Sequence, residues 1–241
     1  MVFIIDIGNT AVKIAVVDHL KVYDMRRCDA TTFAVQFSEL HLKYPTVKQI
    51  VWCQVGYFPI TIKEKLQERF SFYEITTACA LPFKNLYKSD TLGADRMALV
   101  AGVPQYAKPG QGTLIVSIGT CITYDYIDAH NEYHGGAISP GLRLRYESLH
   151  NFTANLPLLT PVKQESFIGD TTASSIHNGV INGILQEIKG TRKQYKTLDI
   201  NINCLLTGGD AQVLHPELKR RFFATPFLML HGIYNLYTFN K

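Results

Sequence analysis

No dense Lys/Arg cluster occurs in this 241-residue chain, and its formal net charge is only +4. That balance argues against a nucleic-acid partner and suits an anionic small molecule. No CxxC pair is present. Cys28, Cys53, Cys79, Cys121 and Cys204 lie far apart, and such an odd, scattered set is expected to be reduced thiols in a cytoplasm, mostly small core residues. No apolar stretch approaches the roughly 20 residues that span a bilayer, so no membrane is expected. Asp6 interrupts the first apolar run with no basic segment before it, so no secretory signal is expected either. The phosphate-loop pattern GxxxxGK[ST] is missing, as are GxSxG and Cys/His nucleophile signatures. His130 and His134 flank a turn with Asn131 and Glu132; tetrahedral zinc wants more ligands nearby, and no metal is expected there.

What is present reads as a packed α/β protein. Hydrophobic residues make up 46% and charged residues 18%, which suits one compact unit or two small domains. Met1 to Ile7 is nearly all apolar, as a strand buried on both faces should be. Strands follow at Ala11–Val17 and Lys21–Arg27. A helix is expected over Thr31–Tyr44, with Phe33, Phe37, Leu40 and Leu42 at approximately helical spacing, then a strand at Gln49–Val55. Pro59 opens a helix to Phe70, and Ser71–Thr76 is a short strand. The second half begins again at Gly112. Strands are expected at Thr113–Ile118, Ile122–Asp128 and Tyr133–Ile138, then helices from about Pro140 and over Thr171–Tyr195. A strand near Cys204–Leu206, a Gly208-Gly209 turn and a strand near Phe222–Ala224 come next. Phe227 to Phe239 reads as a helix packing back on the core.

The two halves open alike. Ile5-Asp6-Ile7-Gly8-Asn9-Thr10 is answered by Val116-Ser117-Ile118-Gly119-Thr120, and Gly8 and Gly119 lie 111 residues apart. With the same strand order behind each, this reads as an internal duplication. A strand that ends in such a turn brings backbone N–H groups and a hydroxyl to one point, and glycine lets a ligand approach closely. One copy alone reads better as an ordinary hairpin. Two copies, with a third glycine turn at Thr207-Gly208-Gly209-Asp210, read better as phosphate clamps. Asp6 could then hold Mg²⁺ and Lys13 add positive charge to the phosphates.

The duplicated three-strand unit, the DxGNT and Gly-Thr turns and the late Gly-Gly turn resemble the acetate-and-sugar-kinase/Hsp70/actin superfamily. The resemblance implies two ribonuclease-H-like α/β domains with mixed sheets, over residues 1–110 and 111–241, with the last helix allowed to pack back on the first domain and ATP in the cleft between them. Three further stretches narrow it: Leu92-Gly93-Ala94-Asp95-Arg96 leading into an apolar helix Met97–Tyr106, His134-Gly135-Gly136-Ala137-Ile138-Ser139-Pro140-Gly141-Leu142-Arg143, and Phe167-Ile168-Gly169-Asp170-Thr171-Thr172-Ala173-Ser174-Ser175-Ile176. In order and spacing these resemble type III pantothenate kinase over essentially the whole chain.

That resemblance implies phosphorylation of pantothenate by ATP with Mg²⁺ and a monovalent cation, K⁺ or NH₄⁺. From the residues alone Asp95 is best read as an ordinary charge at a helix N-terminus; the resemblance makes it the catalytic base. It also implies that Tyr87, Gly93, Ala94 and Arg96 hold substrate, Arg96 by a fork that fits a carboxylate. Asp6, Gly8, Asn9, Thr10, Lys13, Gly119, Thr120, Gly208 and Gly209 would hold the ATP phosphates. Thr172 would reach substrate from the partner in a homodimer, while a helix N-cap at Thr171 or Thr172 is physically natural. Two positions depart from the family pattern. Ser117 stands where an aspartate is usual, although Asp125 further along the hairpin matches a family aspartate; both are weak metal candidates. Ser174 stands where many members have glutamate. These departures keep open a catalytically weakened relative that acts as a regulatory or transcription accessory protein. A sugar kinase or a polyphosphate phosphatase ranks below both.

Overall fold

Six consecutive buried residues, Val2–Ile7, form β1, the centre of a five-stranded sheet in the computed structural model, which describes residues 1–162 and 166–241. β1 turns back into β2 (Val12–Asp18), and β2 into β3 (Lys21–Cys28), both antiparallel. Helix α1 (Phe33–Lys43) returns the chain to β4 (Gln49–Gln54), and α2 (Ile60–Gln67) to β5 (Ser71–Ile75). These last two strands run parallel, so the order is β3-β2-β1-β4-β5. A strand without alternation must be covered on both faces. Phe3, Ile5 and Ile7 pack with Phe33, Phe37, Trp52, Phe58 and Phe70. Phe3 lies 5.2 Å from Phe37 by ring centroids, and Phe33 5.1 Å from Phe58, separations typical of favourable aromatic pairs.

After a two-residue strand β6 (Lys84–Asn85) comes α3 (Ala94–Ala101), which packs on β4 and on the last helix, α7 (Leu228–Phe239). α7 in turn packs on β1, β2, β4 and β5. Met1–Tyr106 and Phe227–Lys241 thus form one compact unit, and Ala107–Pro226 a second. The C-terminal helix is a piece of the first unit, and the division falls at Tyr106/Ala107.

The second unit repeats the plan. β7 (Thr113–Ile118), β8 (Cys121–Ile127) and β9 (Glu132–Pro140) are antiparallel neighbours, while β10 (Asn203–Thr207) runs parallel to β7 and β11 (Phe223–Ala224) parallel to β10. Read outward from β9, β9-β8-β7-β10-β11 matches β3-β2-β1-β4-β5 strand for strand. The core gathers Leu114, Val116 and Ile118 with residues of α4 (Leu142–Asn151), α5 (Thr172–Tyr195) and α6 (Ala211–Leu218).

Several elements differ from the sequence expectation. Leu42 is 80% exposed, so the buried face of α1 is Phe33, Phe37 and Leu40. α2 ends three residues before Phe70, with Pro59 outside it as N-cap. α3 begins at Ala94, not Met97, and ends at Ala101 with Gly102 as C-cap; only a single 3₁₀ turn, Val103–Gln105, follows, because Pro104 cannot continue an α-helix. Pro140 closes β9, and α4 starts two residues later. α6 was not anticipated, since Pro216 argues against a helix. The five cysteines are unpaired thiols. Among the described residues no helix is long and apolar enough to cross a membrane.

Candidate active site

In the first unit the chemistry gathers at the C-terminal end of β1. Asp6 pairs across the hairpin with Lys13, whose Nζ donates to Oδ2 at 3.1 Å; Asp6 is only 6% exposed. Gly8 N–H closes the turn onto the Ala11 carbonyl at 3.1 Å, and Asn9 and Thr10 are exposed at its tip. The sequence missed Gly56, just past β4. Its N–H donates to the Ile7 carbonyl at 3.1 Å, and an added Cβ would lie 2.3 Å from the Gly8 carbonyl oxygen. Only a residue without a side chain lets β4 end directly against the turn.

Asp95 sits in the first turn of α3, after the N-cap Gly93. Its Oδ1 accepts the Arg96 backbone N–H at 2.8 Å, and a Cβ on Gly93 would come within 2.5 Å of that oxygen. Gly93 therefore leaves room for the carboxylate to fold over the helix start, and Ala94 beside it is buried. Burial raises the Asp95 pKa and the negative field of Asp6 raises it further, against the lowering effect of the Arg96 N–H and guanidinium. Burial, Asp6 and Asp95 together push the Cys53 thiol well up. Two carboxylates thus share one field at the end of this sheet. Arg96 is buried, and its guanidinium lies 5.4 Å from the Tyr87 ring centroid, a cation–π arrangement. Asp6, Lys13, Tyr87, Gly93, Asp95 and Arg96 all belong to this unit.

In the second unit the Gly119-Thr120 turn occupies the same place at the end of the central strand but is one residue shorter, joining Ile118 to Ile122 where the first joins Ile7 to Val12. Gly119 N–H donates to the Cys121 carbonyl at 2.9 Å. Gly208, at φ +100°, seats against it as Gly56 does in the first unit: an added Cβ would lie 2.2 Å from the Ile118 carbonyl oxygen, which accepts the Asp210 N–H at 3.0 Å. Gly141 closes on the turn as well, donating to the Thr120 carbonyl at 3.0 Å. Gly208 thus has a packing reason beyond any ligand, and the Gly8 and Gly119 N–H groups serve their own turns. Ser117 lies in register between Thr123 of β8 and Thr207 of β10, a row of three hydroxyl side chains at the position where the family pattern carries an aspartate. Asp125 is fully buried and accepts the Tyr133 hydroxyl at 2.7 Å.

Thr171, not Thr172, is the N-cap of α5. Its side chain accepts the Ser174 N–H at 3.1 Å, and Ser174 Oγ accepts the Thr171 N–H at 2.9 Å. The serine that departs from the family pattern thus completes a capping box. Thr172 is exposed in the first turn. At the β8–β9 hairpin, ligand atoms of Asp128, Glu132 and His134 lie within 4.8 Å of one another. Asp128 accepts the N–H groups of His130 and Glu132 and pairs with His134 Nε2 at 2.7 Å. His130 joins this turn through its backbone N–H.

Two α/β units of one strand order, each with a glycine turn at the end of its central strand, make a duplicated mixed-sheet α/β fold. A model of the type III pantothenate kinase family matches residues 2–194. A type III pantothenate kinase of Christiangramia forsetii is 41% identical over all of this chain and 99% of its own length, and one of Flavobacterium johnsoniae is 39% identical over 99% and 98%. The chain belongs to the type III pantothenate kinase family. Among solved structures, a conserved Campylobacter jejuni protein described as a candidate Baf family transcriptional activator aligns over 99% of this chain and 98% of its own, with TM-score 0.63 and 22% identity, a likeness of fold.

Proposed function

We infer that this chain transfers the γ-phosphoryl group of ATP to the 4′-hydroxyl of pantothenate, yielding ADP and 4′-phosphopantothenate, the first step of coenzyme A biosynthesis. Family membership over the full length supports the reaction. The single observation that carries the mechanism is Asp95, a half-buried carboxylate at a helix start, raised in pKa by desolvation and by the field of a second carboxylate. A base with a raised pKa takes a proton more readily near neutral pH. Asp95 accepts the hydroxyl proton as that oxygen attacks the γ-phosphorus, and the bond to the β-phosphate oxygen breaks. Phosphoryl transfer needs mainly positioning and charge compensation. Lys13 supplies one positive charge, and Asn9 and Thr10, exposed at the tip of the first turn, are the phosphate-facing residues of their unit; Thr120 is the corresponding residue of the second turn. Arg96 with Tyr87 receives the pantothenate carboxylate.

Mg²⁺ favours one or two carboxylates plus phosphate oxygens, and buried Asp6 fits that role; the ion would neutralise charge on the phosphates. A monovalent cation at the Ser117 row would meet neutral hydroxyl oxygens, so its binding is weaker than at a carboxylate. In a homodimer, exposed Thr172 meets the partner's substrate. The regulatory reading is not favoured, since likeness to the Campylobacter protein is one of fold. The test is ADP release from ATP and Mg²⁺ with and without pantothenate, at several K⁺ and NH₄⁺ concentrations. Pantothenate-dependent release is expected; release that ignores pantothenate contradicts the assignment.

A further inference from the structure

Arg145 on α4 makes three bonds that join distant parts of the second unit. Its Nε donates to the Pro140 carbonyl at 2.8 Å, and one terminal nitrogen donates to Ser139 Oγ at 2.9 Å and to a carboxylate oxygen of Glu187 on α5 in a short ion pair. The other Glu187 oxygen accepts the buried Tyr124 hydroxyl at 2.7 Å. Burial raises the Glu187 pKa, but the bonds from Arg145, Tyr124 and Ser139 outweigh it and hold the carboxyl below its usual range. Glu187 is therefore a charged, fully engaged anchor. Beyond Pro140 lies Gly141, whose N–H holds the Thr120 carbonyl and where an added Cβ would lie 2.0 Å from the Gly119 oxygen.

We propose that Arg145, held by Glu187, is a positioning residue for nucleotide: through Pro140 and Gly141 it fixes the Gly119-Thr120 turn in the form that receives ATP phosphates. This rests on the reading of that turn as a phosphate clamp. The guanidinium is suited to the task because its planar fork satisfies a carbonyl, a hydroxyl and a carboxylate at once, which a lysine ammonium on a flexible stem does not. Arg145 itself touches no phosphate in this scheme. Its loss loosens the turn and leaves Asp95, in the other unit, unchanged.

The test uses the full-length chain with Arg145→Lys and Glu187→Gln. ADP binding is measured by calorimetry without turnover, beside KM for ATP, KM for pantothenate, kcat and Tm. Arg145→Lys is expected to weaken ADP binding and raise the KM for ATP about tenfold, the effect of one lost charge-assisted hydrogen bond. The pantothenate KM stays within about twofold. Glu187→Gln gives the same split in smaller measure and carries the test if Arg145→Lys fails to fold. Wild-type ADP affinity in a folded variant overturns the proposal. So does a parallel rise of both KM values with a lowered Tm, which marks a merely structural role. If the wild type shows no pantothenate-dependent turnover, the kinase assignment fails alone, because ADP binding still reads the clamp.

Discussion

Gly232→Ala should damage catalysis without touching any residue of the site. Gly232 lies on α7, where an added Cβ would fall 1.6 Å from the Ala98 carbonyl oxygen of α3. Ordinary contact begins near 3.4 Å, so the methyl is short by about 1.8 Å. The obstacle is backbone, so no side-chain rotation relieves it. Gly102 repeats the approach from the other side, with Leu228 O at 2.5 Å, and Asn235 Nδ2 bonds the Ala101 carbonyl at 2.8 Å. The two helices must therefore part, and α3 carries Asp95 in its first turn. Overpacking of this kind costs about 1–3 kcal/mol, and a shift of about 1 Å in a catalytic group can cost on the order of a hundredfold in rate. Urea denaturation should show the stability loss, and kcat should fall at least tenfold while the protein remains folded. A variant within 0.5 kcal/mol of wild-type stability, by the usual rough limit for neutral substitutions, and with unchanged kcat would refute the close-packed α3–α7 seam as the support of Asp95.

Gly56→Ala should destabilise by a similar 1–3 kcal/mol or so and raise the KM for ATP, because its Cβ would meet the Gly8 carbonyl at 2.3 Å; an unaltered KM in a folded variant counts against the Asp6–Thr10 turn as a phosphate site. Ser174→Ala should cost about 1 kcal/mol by thermal or chemical denaturation, and Ser174→Glu should recover most of it by restoring the usual capping partner. Because the Asp95 pKa is raised above its ordinary 3.8 in the folded state, its charge opposes folding. That penalty is complete above the raised value and gone below 3.8. Asp95→Asn should therefore be more stable than wild type near neutral pH, with the gain vanishing as pH falls towards 3.8; an equal gain at every pH would contradict the shift.

The strand plan was legible because buried strands and glycine turns are local signals. An unbroken apolar run such as Val2–Ile7 has few alternatives. The recurrence of Gly8 at Gly119 announced a duplication that the matching strand orders bear out. Boundaries were less legible where apolar residues continue past the element, as at Met97–Tyr106, or where a proline sits inside it, as Pro216 does in α6. Gly56, Gly141 and Gly232 were not identified as positions of close approach, because that need arises from backbone brought together by tertiary folding. Gly56 could have been found by asking what answers Gly208 in the other repeat. Nor could the sequence tell that Asp95 lies in the field of Asp6, since the two are far apart along the chain. Without the family resemblance, Asp95 would have remained an ordinary helix-terminal charge.

The most direct test of the account is the turnover of Asp95→Asn beside wild type, with ATP, Mg²⁺ and pantothenate, on protein whose fold and ADP affinity are checked in the same samples. Loss of a general base removes roughly 10²–10⁴ of the rate, and that loss is expected here with nucleotide binding intact. A folded, nucleotide-binding Asp95→Asn protein that phosphorylates pantothenate at close to the wild-type rate would contradict the assignment of Asp95 as the base.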